Sequence, residues 1–338
     1  MASIALIWIV YKLSGVESAY MKQVVCIFEP IHPAGVERLK ANFDVVMPDE
    51  IASDPRVDDA ELLLVRTAET AEIVTRMKKL RLIVKHGAGV DNIDIPAATR
   101  RGVMVCNTPG GNNSTAVAEG AVALMLALLR QVREMDTMVR SDNFDDRRKI
   151  RLGDLTGARV GLIGFGRIAR CVATICGAGF GCDVAAFDPF LSDDDIRAAG
   201  VEPVTLPELM TRDVISIHTP LTPDTRDLVG AKELALMHGS AIIVNCSRGG
   251  IIDETALVAV LKAGTIRGAG IDVFEAEPPP ADHPLFELPN VVLSPHVAGV
   301  TENGMKDMAL NCAQVIETFV AGDWPATVLN PEAFEEQK

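Results

Sequence analysis

Short apolar runs alternate along the chain with polar, helix-compatible stretches. Residues 24–28, 43–47, 62–65, 82–84 and 103–106 read as strands, the βα rhythm of a parallel sheet. The turn cluster Asn107-Thr108-Pro109-Gly110-Gly111-Asn112-Asn113 then closes this series, and Ser114 or Thr115 caps a long predicted helix running to about residue 139. Its first half, 116–129, is apolar nearly all round, which calls for burial between layers or against another subunit, whereas 130–140 turns polar. A second βα series follows, with strands at 160–163, 184–187, 214–217, 241–244, 268–273 and 291–293. A last helix, about 301–320, is long enough to leave this series and pack back on the first. The pattern therefore predicts an α/β protein in which residues 114–301 form one domain, inserted between the two pieces, 21–113 and 302–338, of the other. Met21-Lys22 stands directly before the first strand, so residues 1–20 read as an N-terminal extension.

Composition agrees with two domains: 338 residues exceed one ordinary core, and 48% apolar with 23% charged residues is a globular balance. A net charge of −14 opposes phosphate backbones and anionic lipid, which disfavours nucleic acid and membranes as partners. The apolar run 4–10 is far short of the roughly 20 residues a membrane helix needs, and no basic residues precede it. Seven cysteines without a CxxC pair match neither a zinc site nor a disulfide framework, so no metal is expected and a reducing cytoplasm fits best.

The chemistry begins at Gly164-Phe165-Gly166-Arg167-Ile168-Ala169, which follows an apolar strand and opens a helix. Gly164 permits the tight turn, Gly166 lets the backbone approach a pyrophosphate, and Ala169 allows close helix-to-strand packing. Helix N–H groups then face the phosphates. About 20 residues further on, Asp188 ends the next strand, where a carboxylate accepts hydrogen bonds from both ribose hydroxyls and repels a 2′-phosphate. The expected cofactor is NAD rather than NADP, with Arg167 a nearby cation.

Three later segments follow strands: Asn245-Cys246-Ser247-Arg248-Gly249-Gly250, Asp272-Val273-Phe274-Glu275-Ala276-Glu277-Pro278 and Ser294-Pro295-His296-Val297-Ala298-Gly299. Together they supply a guanidinium, a carboxylate and an imidazole. Taking a hydride from C2 of a hydroxy acid requires removal of the hydroxyl proton, which suits histidine. A Glu bonded to that ring orients it and stabilises the imidazolium, and Arg holds a carboxylate by a bidentate fork. Singly, His296 also reads as a structural loop histidine, Arg248 as a surface cation and Glu277 as a loop acid; their joint occurrence after successive strands carries the catalytic reading.

With these motifs in place the sequence resembles the D-isomer-specific 2-hydroxyacid dehydrogenase family, from about Lys22 to Gly322. Further matching stretches are Gly87-Ala88-Gly89-Val90-Asp91-Asn92-Ile93-Asp94, Asn107-Thr108-Pro109-Gly110 and His218-Thr219-Pro220-Leu221-Thr222. The resemblance implies two Rossmann-like domains with parallel sheets, the NAD-binding one inserted into a flavodoxin-like substrate domain. It implies Arg248, Glu277 and His296 as catalytic residues, Asp272 as the holder of the nicotinamide carboxamide, and residues 246–248 and 296–299 as the lining of the nicotinamide end. Ala88 and Gly89 would offer N–H groups to the substrate carboxylate, and His218, Thr219 and Pro220 would lie near the adenosine. It further implies a homodimer joined through the cofactor domain. Two departures are Ala169 in place of the commoner glycine, and the glycine-rich 177–181, which is expected to alter how the first Rossmann helix ends.

Arg66 corresponds to a cation that phosphoglycerate dehydrogenases place near substrate, so D-3-phosphoglycerate dehydrogenase is an alternative activity, here without the C-terminal regulatory domain many of them carry. Glyoxylate and hydroxypyruvate reduction are others. Glu277 stands where formate dehydrogenases carry Gln, which disfavours that activity. A non-catalytic NAD-sensing corepressor is the alternative of another class, and the complete Arg, Glu and His set argues for an enzyme.

Overall fold

The computed structural model describes residues 22–68, 70–109 and 112–334; the expected extension over residues 1–20, like Gly110 and Gly111 of the turn cluster, lies outside them. The described residues divide into two compact units, one that runs up to residue 113 and resumes at residue 302, and the other from residues 114–301.

In unit 1 the strands β1 (Val24–Ile27), β2 (Asp44–Val46), β3 (Leu62–Val65), β4 (Leu82–Lys85) and β5 (Met104–Cys106) form a parallel sheet in the order β2-β1-β3-β4-β5. β3 and β4 are buried at every residue, the pattern of strands covered on both faces. The helix Pro33–Asn42 starts where proline presets its first turn and the His32 ring accepts the Ala34 N–H. It packs against the returning helix Glu302–Val320 so closely that a Cβ on Gly35 would stand 2.7 Å from the Ala309 methyl. Because the chain leaves β1 toward β2 on one side and β3 lies on the other, the crevice of this sheet opens at the carboxyl ends of β1 and β3.

Unit 2 holds β6 (Arg159–Ile163), β7 (Asp183–Phe187), β8 (Glu202–Pro203), β9 (Val214–Ile217), β10 (Ile242–Asn245), β11 (Gly268–Ile271) and β12 (Val291–Leu293). All are parallel, ordered β12-β11-β10-β9-β6-β7-β8, with the switch point between β6 and β9. Both sheets are thus of the doubly wound α/β kind the pattern predicts.

The single long helix expected up to residue 139 is instead two, Asn112–Leu129 and Val132–Arg140, bent by 56°. The break falls at Gln131, which adopts φ 49°, a left-handed turn that ends the first helix. Ser114 and Thr115 lie inside the first turn rather than capping it. The first helix lies on the sheet, where Gly268 and Gly270 admit Leu128 and Leu124. Among the described residues no single helix is long and apolar enough to cross a membrane. The glycine-rich stretch does change the end of the helix Arg167–Thr174, which widens into a π-helical turn, Ile175–Gly179, before Gly181 turns left-handed at φ +62°.

Candidate active site

At the switch point of unit 2, Gly164 adopts φ +83°, and a Cβ there would meet the His218 carbonyl oxygen at 2.8 Å. Only glycine satisfies both constraints. Gly166 is the N-cap of the following helix, and a Cβ on it would meet nothing within 4 Å. The loop therefore leaves open space at a helix N-terminus, the arrangement that accepts a pyrophosphate. Arg167 is exposed, Ile168 half-buried and Ala169 fully buried against the sheet.

Asp188 directly follows β7, half-buried, and its two oxygens already accept the N–H groups of Phe165, at 2.8 Å, and of Phe190, at 2.9 Å. It is thus tied to the phosphate loop itself, a second duty that the spacing did not reveal. His218 shares a hydrogen bond with Ser216 Oγ at 2.9 Å, while its buried Nδ1 has no partner among the described residues. Burial pushes this imidazole down to about 4, so it is neutral at physiological pH. Thr219 and Pro220 continue the same turn toward solvent.

The three residues read as reactive come together. His296 Nδ1 lies 2.7 Å from Glu277 Oε2, and Arg248 is close enough for its charge to act on Glu277. Burial alone would raise the Glu277 carboxyl, but the His296 hydrogen bond, the Phe274 N–H and the His296 and Arg248 charges together hold it below the usual value. A carboxylate only accepts, so Nδ1 carries the proton of the neutral ring and Nε2 presents the lone pair. The side chains of His296 and Glu277 are 39% and 38% exposed, accessible to a ligand yet partly desolvated.

Residues around the trio lock it in place. Asp272, 1% exposed, accepts the Ser294 hydroxyl and the N–H groups of Val297 (2.9 Å) and Ala298 (3.0 Å), while its carbonyl takes the His296 N–H at 2.7 Å. Its carboxylate thus holds the histidine turn, in which His296 sits at φ +56°. Beneath the turn, a Cβ on Gly120 would stand 2.9 Å from the Ala298 methyl, so the long apolar helix supports Ala298 directly. Asn245 performs the parallel task for arginine, accepting from Ser247 N and Oγ and donating to the Arg248 carbonyl. Cys246 is buried with its thiol pushed up to about 12, a packing residue rather than a nucleophile. Glu254 accepts the Glu275 N–H and pairs with buried His283, steadying the loop that carries Glu277. The sequence reading did not single out Asn245, Glu254 or His283; Glu254 and His283 are joined across 29 residues, whereas Asn245 bonds two and three residues along its own segment.

In unit 1, Arg66 directly follows β3, half-buried, with no partner for its guanidinium among the described residues. Ala88 and Gly89 follow β4, with the Ala88 carbonyl held by Asn107 Nδ2 at 2.8 Å and neither N–H engaged within the described residues. His86, 4% exposed, is pushed down to about 4 by burial and the neighbouring Arg66 charge.

A family profile, D-isomer specific 2-hydroxyacid dehydrogenase, NAD binding domain, matches residues 122–298. A D-3-phosphoglycerate dehydrogenase of Methanocaldococcus jannaschii is 36% identical over 321 residues, 93% of this chain; the chain spans 60% of that relative's length. A glyoxylate reductase of Korarchaeum cryptofilum is also 36% identical, over 92% of this chain and 97% of its own. Among solved structures, an NADPH-dependent glyoxylate/hydroxypyruvate reductase of Sinorhizobium meliloti superposes with a TM-score of 0.81 at 27% identity, covering 92% of this chain and 98% of its own. With a phosphate loop, an Arg–Glu–His set and near full-length relatives all in agreement, the chain belongs to the D-isomer-specific 2-hydroxyacid dehydrogenase family.

Proposed function

We propose that the protein transfers a hydride between NAD(H) and a small D-2-hydroxy or 2-oxo acid, with Arg248, Glu277 and His296 as its catalytic residues. The 2.7 Å contact between His296 and Glu277 carries this reading, because it fixes both the tautomer and the direction of the imidazole. NAD, held by residues 164–168, Asp188 and the 218–220 turn, supplies the hydride acceptor or donor. In the oxidation direction His296 Nε2 takes the hydroxyl proton, and Glu277 stabilises the imidazolium that results. In reduction the protonated ring returns that proton to the carbonyl oxygen. Arg248 holds the substrate carboxylate and polarises the C2 oxygen. In unit 1 we assign the N–H groups of Ala88 and Gly89 and the Arg66 side chain to the acid, since all three are charged or polar groups without a competing partner among the described residues.

The test is loss of NADH absorbance with glyoxylate, hydroxypyruvate, pyruvate and phosphohydroxypyruvate. Turnover with at least one is expected, and none with any of them, despite tight NADH binding, would overturn the enzyme reading. The Arg66 guanidinium, without a partner among the described residues, favours a second reading, the phosphorylated acid, which a much lower KM for phosphohydroxypyruvate would establish.

Asp188 supports NAD over NADP, and its bonds to the loop backbone sharpen the test. Asp188→Ala is expected to raise the NADH dissociation constant about tenfold or more while NADPH affinity holds or improves. Equal weakening of both cofactors would mean that the carboxylate only fixes the loop. Fluorescence titration with each nucleotide distinguishes the two.

A further inference from the structure

We propose that Glu29 is a positioning residue whose carboxylate holds the Arg66-Thr67-Ala68 turn so that the Arg66 guanidinium meets the anionic substrate. This rests on reading the chain as a 2-oxo acid reductase and adds to it the group that sets the acid-binding arginine.

Glu29 lies two residues past β1 and Arg66 one past β3, adjacent strands that flank the switch point of unit 1. That is where flavodoxin-like sheets receive a ligand. Here Glu29 Oε2 accepts three successive backbone N–H groups, those of Arg66 at 2.7 Å, Thr67 at 2.7 Å and Ala68 at 2.9 Å, and Oε1 accepts the Thr67 hydroxyl at 2.5 Å. Consecutive N–H groups converging on one point form an anion-binding nest, and the chain fills it with its own carboxylate.

The carbonyl side of the same turn is tied as firmly. Lys85 Nζ, from the end of β4, donates to the Arg66 carbonyl and to Asn92 Oδ1 at 2.7 Å, and Asn92 Nδ2 donates to the Ala68 carbonyl at 2.7 Å. Every one of these bonds to Arg66 ends on its main chain. The guanidinium has no partner among the described residues, so Glu29 and Lys85 fix the base of a cation that they leave unneutralised. Burial alone would raise the Glu29 carboxyl, but the bonds from Thr67, Ala68 and Arg66 hold it below its ordinary value, so it is ionised at neutral pH. A glutamine there would keep one acceptor and turn an amide NH2 toward the donors.

The experiment is steady-state kinetics of the full chain with NADH and the best acid of the substrate panel, for wild type, Glu29→Ala, Glu29→Gln, Arg66→Ala and the Glu29→Ala/Arg66→Ala pair. Glu29→Ala and Arg66→Ala are each expected to raise KM about tenfold or more, with kcat within about twofold and NADH affinity unchanged. The double variant should be no worse than Arg66→Ala, because one residue acts through the other. Glu29→Gln should fall between wild type and Glu29→Ala. Fully additive KM effects, an unchanged KM in Glu29→Ala, or a loss confined to kcat would overturn the proposal. If Glu29→Ala does not yield folded protein by circular dichroism, Glu29→Gln and its pair with Arg66→Ala carry the same comparison. A wild type that turns over no 2-oxo acid defeats the enzyme reading itself, an outcome distinct from an active wild type with unaffected Glu29 variants.

Discussion

His296→Asn is expected to lower kcat for 2-oxo acid reduction about 100- to 10,000-fold while NADH affinity stays within about twofold. Asparagine is the informative replacement because, among side chains other than glycine, it tolerates the left-handed φ +56° of this position well. The turn should therefore survive, since the Asp272 bonds to Val297, Ala298 and the His296 main chain do not involve the imidazole. What disappears is the group that moves the proton and the partner that orients Glu277. Single-turnover kinetics with prebound NADH isolates the chemical step, and a loss smaller than about tenfold would mean that another group handles the proton.

Gly249→Ala should be nearly as damaging by a different route. A Cβ on Gly249 would lie 2.0 Å from both the carbonyl carbon and oxygen of Phe274 and 2.4 Å from the Glu275 nitrogen. These are main-chain atoms with little freedom to retreat, because Phe274 N donates to Glu277 Oε1 at 3.0 Å and Glu275 N to Glu254 Oε1 at 2.8 Å. The two loops must separate, and they carry Arg248 and Glu277. We expect destabilisation of about 3 kcal/mol, read as a midpoint about 10 °C lower, together with a fall in kcat/KM of about 100-fold or more from misplaced groups. A thermal scan beside steady-state kinetics checks both, and a variant with normal midpoint and turnover would show that the loops do not touch at this glycine.

Features with a local chemical signature were legible in the sequence. The phosphate loop, the strands flanking it and Asp188 are specified by short-range residue types, and the glycine-rich 177–181 announced an irregular helix end that the π-helical turn provides. The break at Gln131 carried no such sign, since glutamine is an ordinary helix former and its residue type does not announce a positive φ. β8 consists of Glu202 and Pro203 alone, too short to show a period. The trio of Arg248, Glu277 and His296 was legible as residue types, but its arrangement was not. The contact of Gly249 with Phe274 and the capture of the Arg66 turn by Glu29 join segments far apart in the chain, and no spacing rule encodes them.

The way unit 1 is assembled bears on how the protein is made. Ala309, Cys312, Ala313, Ile316 and Phe319, all at most 4% exposed, belong to the same apolar cluster as Val25, Ile27, Leu62 and Leu82. The face of this sheet on which the helix Pro33–Asn42 places Leu39 therefore stays incompletely covered until the helix Glu302–Val320 leaves the ribosome, after every residue of the inserted unit. Folding that follows synthesis would then close the core of the unit complete by residue 301 before that of unit 1. The strands of unit 1 would wait for the helix Glu302–Val320, with a half-covered apolar sheet in the interval.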